Sequence, residues 1–323
     1  MRPRLVIASL WLAVASISAH ADVAFESGSE QILRALGQTT VAQLALVRTA
    51  AERGDMRAQM LVGYLYLYGV VVTADDAEAI KWLRRGAAQG EPAAQFALGR
   101  MYYRGQGIQR DLVEGLRLMT QAAERGNAAA QMALGVLYSQ ADGVPQNYTT
   151  AYKWYQAAAQ QGFADAKSNL GWLTYQGWGV KRDDAEAFRL TLEGAEGPGS
   201  AKAAYNLGLF YERGVGTPVD FVQAASWYRS AAERGNGWAQ VALGVLYRDG
   251  AGVPKDLVEA YMWISLGSIA EGYDGVVSTP QIAELMTATQ IAKAQQRAAV
   301  CGERSFKNCS EPTSAHDADP PAP

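Results

Sequence analysis

A regular spacing of glycines constrains the fold of this chain more than any other feature. Six glycines, each preceded by leucine or valine, follow one another at intervals of 36, 36, 36, 37 and 36 residues. They are Gly63, Gly99, Gly135, Gly171, Gly208 and Gly244. A period in this range is typical of solenoids, whose repeats bury their apolar faces only against neighbouring repeats. The spacing therefore predicts a stack of repeated units.

Each repeat contains two segments with the spacing of an amphipathic helix. Apolar residues of the first segment fall at positions i, i+3, i+4, i+7 and i+8, as they do in residues 58–66. The second segment repeats the pattern, for example in residues 79–87. A turn with two glycines, such as Gly105 and Gly107, separates the segments and suits a reversal that needs positive φ. Each repeat is therefore predicted to be a helical hairpin.

The second segment has signals for its start and its end. An Asp at its start is followed three residues later by Glu or Gln, which is the pattern of a capping box. The pairs are Asp75 with Glu78, Asp111 with Glu114, Asp183 with Glu186, Asp220 with Gln223 and Asp256 with Glu259. A glycine suited to the left-handed conformation then ends the helix. These glycines are Gly54, Gly90, Gly126, Gly162 and Gly235.

The combination of Ala-Gln-x-x-Leu-Gly-x-x-Tyr, Gly-x-Gly-Val, a capping Asp, a Trp and Ala-Ala-Glu-x-Gly resembles the Sel-like repeat, a relative of the tetratricopeptide repeat. Six copies span about residues 58–272. The resemblance implies an all-α fold, a right-handed α-solenoid of antiparallel helix pairs with partial capping units. It also implies an adaptor that holds protein partners together.

The repeats depart from the shared pattern in two places. Val70–Val72 stands where a glycine turn is usual, so we expect an altered turn in the first repeat. Gly194–Ser200 replaces the usual helix ending in the fourth repeat, so we expect a local irregularity or bend there. One subgroup of the family has a disulfide in every repeat, whereas this chain has no cysteine inside its repeats.

The N-terminus has the pattern of an export signal. Arg2 and Arg4 precede an apolar run at 5–17, and Ala19-His-Ala21 supplies the small residues of a cleavage site. The run is too short to anchor the chain in a bilayer, and the alternative is a buried core helix. We expect cleavage after Ala21 and a periplasmic or secreted mature protein. The loss of two of the 29 basic residues leaves 27 against 32 acidic residues, a net charge of −5.

The remaining parts of the chain flank the repeats. We expect a linker and partial capping repeat at 22–57, a capping helix with a cysteine loop at 273–309, and a disordered tail at 310–323. Within the C-terminal part, Pro280–Val300 has the pattern of one closing helix. Cys301 and Cys309 follow it, and in an exported chain they favour a disulfide. A zinc site is the poorer interpretation, because no histidine lies nearby.

The chain offers few residues for catalysis. Its two histidines, His20 and His316, lie in the predicted signal and tail, which argues against Ser-His-Asp and zinc-hydrolase chemistry. No serine has a lysine three places on, so the Ser-x-x-Lys nucleophile motif is absent. Asp75-Asp76 and Asp183-Asp184 could each be an acid–base pair, but a helix cap beside a first-turn acid explains them better. We expect no enzyme activity, cofactor or metal.

Variable positions of the first helices are the candidates for partner binding. Aromatic and Arg side chains are enriched at binding hot spots, and in this architecture the first helices line the concave face. The candidates are Tyr64, Tyr68, Arg100, Tyr103, Arg104, Trp172, Tyr175, Glu212, Arg213 and Arg248. An ordinary solvated helix face is the alternative interpretation. Trp178 and Trp238 are predicted at exposed loop positions, where they could extend the surface.

The sequence favours one function over two others. The first hypothesis is a non-enzymatic scaffold or adaptor of the bacterial envelope or exterior that binds a protein or extended peptide. The second is an envelope hydrolase or a protein that binds cell-wall glycan or β-lactams. The third is a secreted factor that binds host proteins. No basic stripe indicates nucleic acid, and the oligomeric state is left open.

Overall fold

The computed structural model describes residues 41–196, 200–271, 279–307 and 309. The predicted signal, residues 22–40 and the predicted tail lie outside the described residues. The described residues form fifteen α-helices and no strands. The helices are α1 (Val41–Glu52), α2 (Met56–Tyr68), α3 (Asp76–Ala88), α4 (Pro92–Arg104), α5 (Leu112–Glu124), α6 (Ala128–Gln140), α7 (Tyr148–Gln160), α8 (Ala164–Gln176), α9 (Asp184–Ala195), α10 (Ala201–Arg213), α11 (Phe221–Ala232), α12 (Gly237–Asp249), α13 (Leu257–Glu271), α14 (Thr279–Ala283) and α15 (Ala288–Glu303).

The predicted all-α solenoid of helix pairs is confirmed. The chain divides into two compact units, the first comprising Met1–Ala166 with Trp178–Val180 and the second Lys167–Gly177 with Lys181–Pro323. In the first unit the pairs are α2 with α3, α4 with α5, and α6 with α7. In the second unit α10 pairs with α11 and α12 pairs with α13, while α15 packs against α13 at the C-terminal end.

Small residues let the two helices of a pair approach closely. A Cβ atom built on Gly99 would lie 2.9 Å from the carbonyl oxygen of Gly115, and one built on Gly115 would lie 2.8 Å from that of Gly99. Larger residues fill the layers around these contacts, including Trp82 at 2% exposure and Trp263 at 0%. The recurring glycines therefore set the distance within a pair, and the apolar positions build the core.

The Asp residues cap the second helices as predicted, but the reciprocal half of the capping box is wrong. Asp75 Oδ1 accepts from the backbone N–H groups of Ala77 and Glu78, at 2.9 and 3.0 Å. The backbone N–H of Asp75 donates instead to the carbonyl of Tyr66 at 3.0 Å. Because the preceding helix already satisfies that N–H, Glu78 has no donor to reach back to. Glu78 accepts from the indole N–H of Trp82 at 3.2 Å.

The first turn keeps the shape of the others, so the prediction of an altered turn at Val70–Val72 is wrong. Val71 has a φ of 65°, the value that Gly107 has at the equivalent position of the next repeat. A β-branched residue in the left-handed region is strained. The turn therefore keeps the backbone conformation of the repeat against the local preference of Val71. The predicted irregularity at Gly194–Ser200 lies partly outside the described residues, since α9 ends at Ala195 and residues 197–199 are not described.

The C-terminal part contains two helices where one was predicted at Pro280–Val300. Thr287 starts α15 with a complete capping box, in which its hydroxyl accepts from the backbone N–H of Gln290 and its own N–H donates to the Gln290 side chain at 2.9 Å. This cap outweighs the apolar periodicity and starts a new helix. Leu285, which falls within the single predicted helix, is 62% exposed in the turn between α14 and α15.

Candidate functional site

Four of the predicted binding residues form one surface in the first unit. Tyr64 and Tyr68 lie four residues apart on α2, and Arg100 and Arg104 lie four residues apart on α4, so each pair shares a helix face. The rings of Tyr64 and Tyr68 are stacked, with centroids 5.8 Å apart and planes 4° from parallel. We call these four residues the Tyr–Arg patch.

The two arginines of the Tyr–Arg patch influence each other electrostatically. Burial and the positive charge of Arg100 lower the pKa of Arg104, and Tyr68 acts in the opposite direction. The guanidinium carbon of Arg100 lies 5.6 Å from the ring centroid of Phe96, within the range of a cation–π contact. The patch therefore combines two neighbouring cations with two stacked aromatic rings.

Tyr103 lies on the same helix but does not belong to the Tyr–Arg patch. Its side chain packs against the core around α5 and α6. Burial, followed by the nearby carboxylate of Asp142, raises the pKa of Tyr103 to about 12. Its hydroxyl lies 2.8 Å from where a Cβ atom on Gly143 would be. The contacts of Tyr103 thus favour a role in packing the next turn.

The second unit places two of the predicted binding residues in an aromatic cluster. The rings of Trp172 and Tyr175 lie 5.6 Å apart, and that of Tyr175 lies 5.3 Å from that of Phe210. The guanidinium carbon of Arg182 is 5.1 Å from the Tyr175 ring centroid. Since Phe210 is fully buried, this cluster joins the core to the surface.

The three charged candidates of the second unit differ in their surroundings. Glu212 accepts a hydrogen bond from the hydroxyl of Tyr228, which is buried. Arg248 forms an ion pair with Asp249, with 2.6 Å between Nε and Oδ1. Arg213 is exposed at the end of α10. Glu212 and Arg248 are partly buried and bind other side chains of the protein, whereas Arg213 is the exposed residue of the three.

Both tryptophans named as surface residues are exposed, at 41% for Trp178 and 45% for Trp238. Trp178 lies in a glycine turn, as predicted, and stacks on Tyr148 with 4.7 Å between ring centroids. The loop assignment of Trp238 is wrong, because it lies in the first turn of α12. Asn236 provides the N-cap of that helix and so draws Trp238 into it.

The paired carboxylates have structural roles. Asp183 caps α9 by accepting from the backbone N–H of Glu186 at 3.0 Å. Its neighbour Asp184 pairs with Arg182 at 2.7 Å, and this hydrogen bond lowers the pKa of Asp184. In the other pair Asp76 accepts from Gln106 at 3.1 Å. Within the described residues, no group of His, Cys, Asp and Glu side chains is arranged to hold a metal ion.

A buried ion pair at the C-terminal end was missed in the sequence. Arg297 of α15 pairs with Glu259 of α13, and their side chains are only 14% and 7% exposed. Arg297 lies outside the repeats, so no periodic signal marked it. The sulfur atoms of Cys301 and Cys309 lie within disulfide-bonding distance, which agrees with the predicted disulfide. In the part of the chain that the structure describes, no helix has the length and hydrophobicity of a transmembrane span.

Comparison with known proteins points to one family. The Sel1 repeat profile matches six stretches that together exceed half of the chain, at residues 57–91, 92–127, 128–163, 164–197, 201–236 and 239–268. The crystal structure of a Sel1 repeat protein from Oxalobacter formigenes is similar at 31% identity and a TM-score of 0.63, over 77% of this chain and 94% of that one.

Two further proteins are similar to parts of the chain. A protective antigen of uropathogenic Escherichia coli with an SLR fold shares 27% identity at a TM-score of 0.53, over 90% of this chain and 72% of that one. A chitin synthase regulator of Malassezia restricta is 44% identical over 55 residues. That match covers 17% of this chain and 4% of the fungal protein, so it concerns the repeat alone.

Proposed function

Because the chain belongs to the Sel1 repeat family, whose members typically mediate protein–protein interactions, we propose that it is a non-enzymatic scaffold. It binds a protein partner or an extended peptide through the Tyr–Arg patch of its first unit. The observation that carries this proposal is the pairing of stacked Tyr64 and Tyr68 with the neighbouring cations Arg100 and Arg104. Tyr and Arg are among the residues that contribute most binding energy at protein interfaces.

The alternative of an envelope hydrolase or a glycan- or β-lactam-binding protein has less support. Asp75 and Asp183, the acids that an acid–base mechanism would need, accept backbone hydrogen bonds as helix caps. These hydrogen bonds explain why an acid stands at both positions without any catalytic role. A test of hydrolysis with β-lactam and murein substrates separates the two functions, since the scaffold predicts no turnover.

The location of the protein is part of the proposal. We place it in the periplasm or outside the cell, on the basis of the N-terminal export pattern and the paired cysteines Cys301 and Cys309. Mass spectrometry of the protein from envelope and culture fractions should show the loss of residues 1–21 and an oxidised cysteine pair. An intact N-terminus in the cytoplasmic fraction contradicts export.

A photo-crosslinking side chain placed at position 68 tests the binding site. The same group at position 153 is the matched control, because Lys153 is an exposed residue of the same unit on a second helix, α7. The proposal predicts a protein adduct from position 68 and none from position 153. Equal labelling from both positions, or labelling from position 153 alone, contradicts a site at the Tyr–Arg patch.

A further inference from the structure

A groove in the first unit has the properties of a second binding surface. It lies between α3 and α5, across α4, and encloses about 500 Å³. Arg84, Gln95, Tyr102, Arg117 and Arg125 contribute to its lining. None of the four residues of the Tyr–Arg patch is among its lining residues, so the two surfaces are separate.

The groove holds more positive than negative charge. Its one acidic side chain, Glu114, is engaged by Arg117 through two hydrogen bonds of 2.6 and 2.7 Å. Arg84 donates to the hydroxyl of Tyr102 at 3.0 Å, and Arg125 donates to the carbonyl of Gly90 at 3.4 Å. Neither Arg84 nor Arg125 forms an ion pair with a carboxylate in the described part of the chain. Two exposed guanidinium groups are therefore left for an anion.

The repeat position of Arg125 holds arginine at Arg53 and Arg234 and glutamine at Gln89 and Gln161, and the two glutamines show which contact Arg125 does not make. In the preceding repeat, Gln89 donates to the side-chain oxygen of Gln59 at 2.8 Å and to the carbonyl of Gly54 at 3.0 Å. The same side-chain bond recurs between Gln161 and Gln131, again at 2.8 Å. These glutamines close a regular hydrogen-bond ladder between successive repeats.

The ladder is interrupted in the groove. Arg125 occupies the position of Gln89 and Gln161, and it contacts the Gly90 carbonyl without donating to Gln95. Gln95 is 3% exposed, and its buried side-chain oxygen has no hydrogen-bond partner among the described residues. An unsatisfied buried acceptor costs about 1–3 kcal/mol, so a glutamine here would be the more stable choice. Stability alone therefore does not account for Arg125.

We propose that this groove binds the side-chain carboxylates of an acidic peptide segment, with Arg84 and Arg125 as the two anion-binding groups. A planar guanidinium matches the geometry of a carboxylate, and hydrogen bonds between charged groups are the stronger ones. Tyr102 fixes the direction of Arg84 through their hydrogen bond. The chain as a whole has more acidic than basic residues, so its net charge would not by itself attract an acidic peptide.

The probe that tests this proposal is a fluorescein-labelled hexaglutamate peptide, titrated into the full-length mature protein. A hexaglutamine peptide controls for the backbone and the dye, and free glutarate controls for small carboxylates. The variants are Arg84→Gln and Arg125→Gln. The pair Arg53→Gln and Lys153→Gln removes two exposed positive charges of the same unit that do not line the groove. Arg100→Gln tests whether the Tyr–Arg patch is the site.

The variant Arg125→Gln also distinguishes a loss of peptide binding from a loss of folding. Glutamine is the native residue at the equivalent positions 89 and 161, and at both it donates to the side-chain oxygen of the glutamine thirty residues earlier. We therefore expect Arg125→Gln to melt at a higher temperature than the unaltered protein while it binds the peptide more weakly. A structural role for Arg125 would move both quantities in the same direction.

The proposal predicts binding of hexaglutamate but not of hexaglutamine. The affinity for glutarate should be at least about tenfold lower, because the linked carboxylates of the peptide raise the effective concentration of each further contact. Each groove substitution should weaken hexaglutamate binding by about tenfold, since a hydrogen bond to a charged group contributes that much. The control pair and Arg100→Gln should change the affinity for hexaglutamate less than about twofold, because distant exposed charges are screened.

Unchanged affinity in both groove variants, or no binding of hexaglutamate to the unaltered protein, overturns the proposal. Equal affinity for glutarate overturns its assignment to a peptide.

Discussion

The indole N–H of Trp263 donates to the carboxylate of Glu259, with 3.1 Å between Nε1 and Oε2. Trp82 and Glu78 make the same contact in the first repeat, at 3.2 Å. In both repeats the Glu lies three residues after the capping Asp, and it holds a tryptophan on the next turn. In both repeats this Glu therefore links the helix cap to a tryptophan side chain.

Glu259→Ala should be far more destabilising than Glu78→Ala. Glu259 also holds Arg297, whose side chain is 14% exposed, and removal of the carboxylate leaves a buried cation without its partner. We expect a loss of about 3 kcal/mol in the free energy of unfolding. Glu78→Ala loses the indole contact and an exposed pair with Lys81, and it should cost about 1 kcal/mol. Urea denaturation measures both, and equal losses would show that the Glu259–Arg297 pair contributes nothing beyond the indole contact.

Val71→Gly should stabilise the protein. The left-handed conformation costs an L-residue with a Cβ atom about 1–2 kcal/mol, and glycine avoids that cost. The side chain of Val71 is 38% exposed, so its removal loses little burial. We expect a gain of about 1 kcal/mol in denaturant unfolding.

Gly107→Ala is the matched control for Val71→Gly. A Cβ atom at Gly107 would lie 2.3 Å from Cβ of Asp76, and the residue has a φ of 65°. We expect a loss of about 2 kcal/mol from this clash and strain. A destabilised Val71→Gly protein would contradict the strained turn.

Asp183→Ala should lower stability by about 1 kcal/mol through loss of the cap of α9. Its neighbour is the control, because Asp184 contacts only the exposed side chain of Arg182 among the hydrogen bonds described above. Asp184→Ala should change stability by less than about 0.5 kcal/mol. Thermal melting compares the two variants, and an unchanged melting temperature for Asp183→Ala counts against the cap.

The cysteine pair should secure the C-terminal helix. A disulfide between Cys301 and Cys309 closes a loop of about nine residues, which in the chain-entropy account contributes about 2.5 kcal/mol. The double variant Cys301→Ser, Cys309→Ser should therefore show faster hydrogen exchange in α15 than the oxidised protein does. Exchange in α4, which lies in the other unit, is the internal control. Equal protection of α15 in both proteins would contradict a stabilising disulfide.

The repeat architecture could be predicted because each structural requirement of a repeat selects a particular residue type, which then recurs at a fixed spacing. Close approach of two helices needs a small residue such as Gly99, and the end of a helix needs a glycine such as Gly90, whose φ is 87°. The capping role of Asp75 is also local, since it spans only three residues. Such short-range requirements are visible in a single sequence.

The features that the sequence analysis missed depend on the tertiary structure, which the repeat spacing does not predict. Val71 keeps the φ of the repeat turn although its β-branched side chain disfavours that conformation. Arg297 finds Glu259 at a separation of 38 residues. The side-chain oxygen of Gln95 has no hydrogen-bond partner in the described part of the chain, because Arg125, thirty residues along the chain, donates to the Gly90 carbonyl and not to Gln95. The sequence alone did not single out position 125, because arginine and glutamine alternate at this repeat position in residues 53, 89, 125 and 161.

The candidate binding residues of the first unit include some whose position the sequence predicted and one whose position it did not. The helical spacing places Tyr64 beside Tyr68 and Arg100 beside Arg104, and the structure has these pairs. The same spacing did not separate Tyr103 from them, because its packing is set by the following repeat, where Gly143 lies against its hydroxyl.

The scaffold function rests on the Tyr–Arg patch, and its most direct test is quantitative affinity capture from envelope and culture fractions. The baits are the unaltered mature protein, the variant Arg100→Glu, Arg104→Glu, and the control Arg53→Glu, Lys153→Glu, which reverses two exposed charges of the same unit. The account predicts a protein retained by the unaltered and control baits and reduced by at least about tenfold on the patch variant, as expected for interfacial arginines. Equal recovery on all three baits would contradict it.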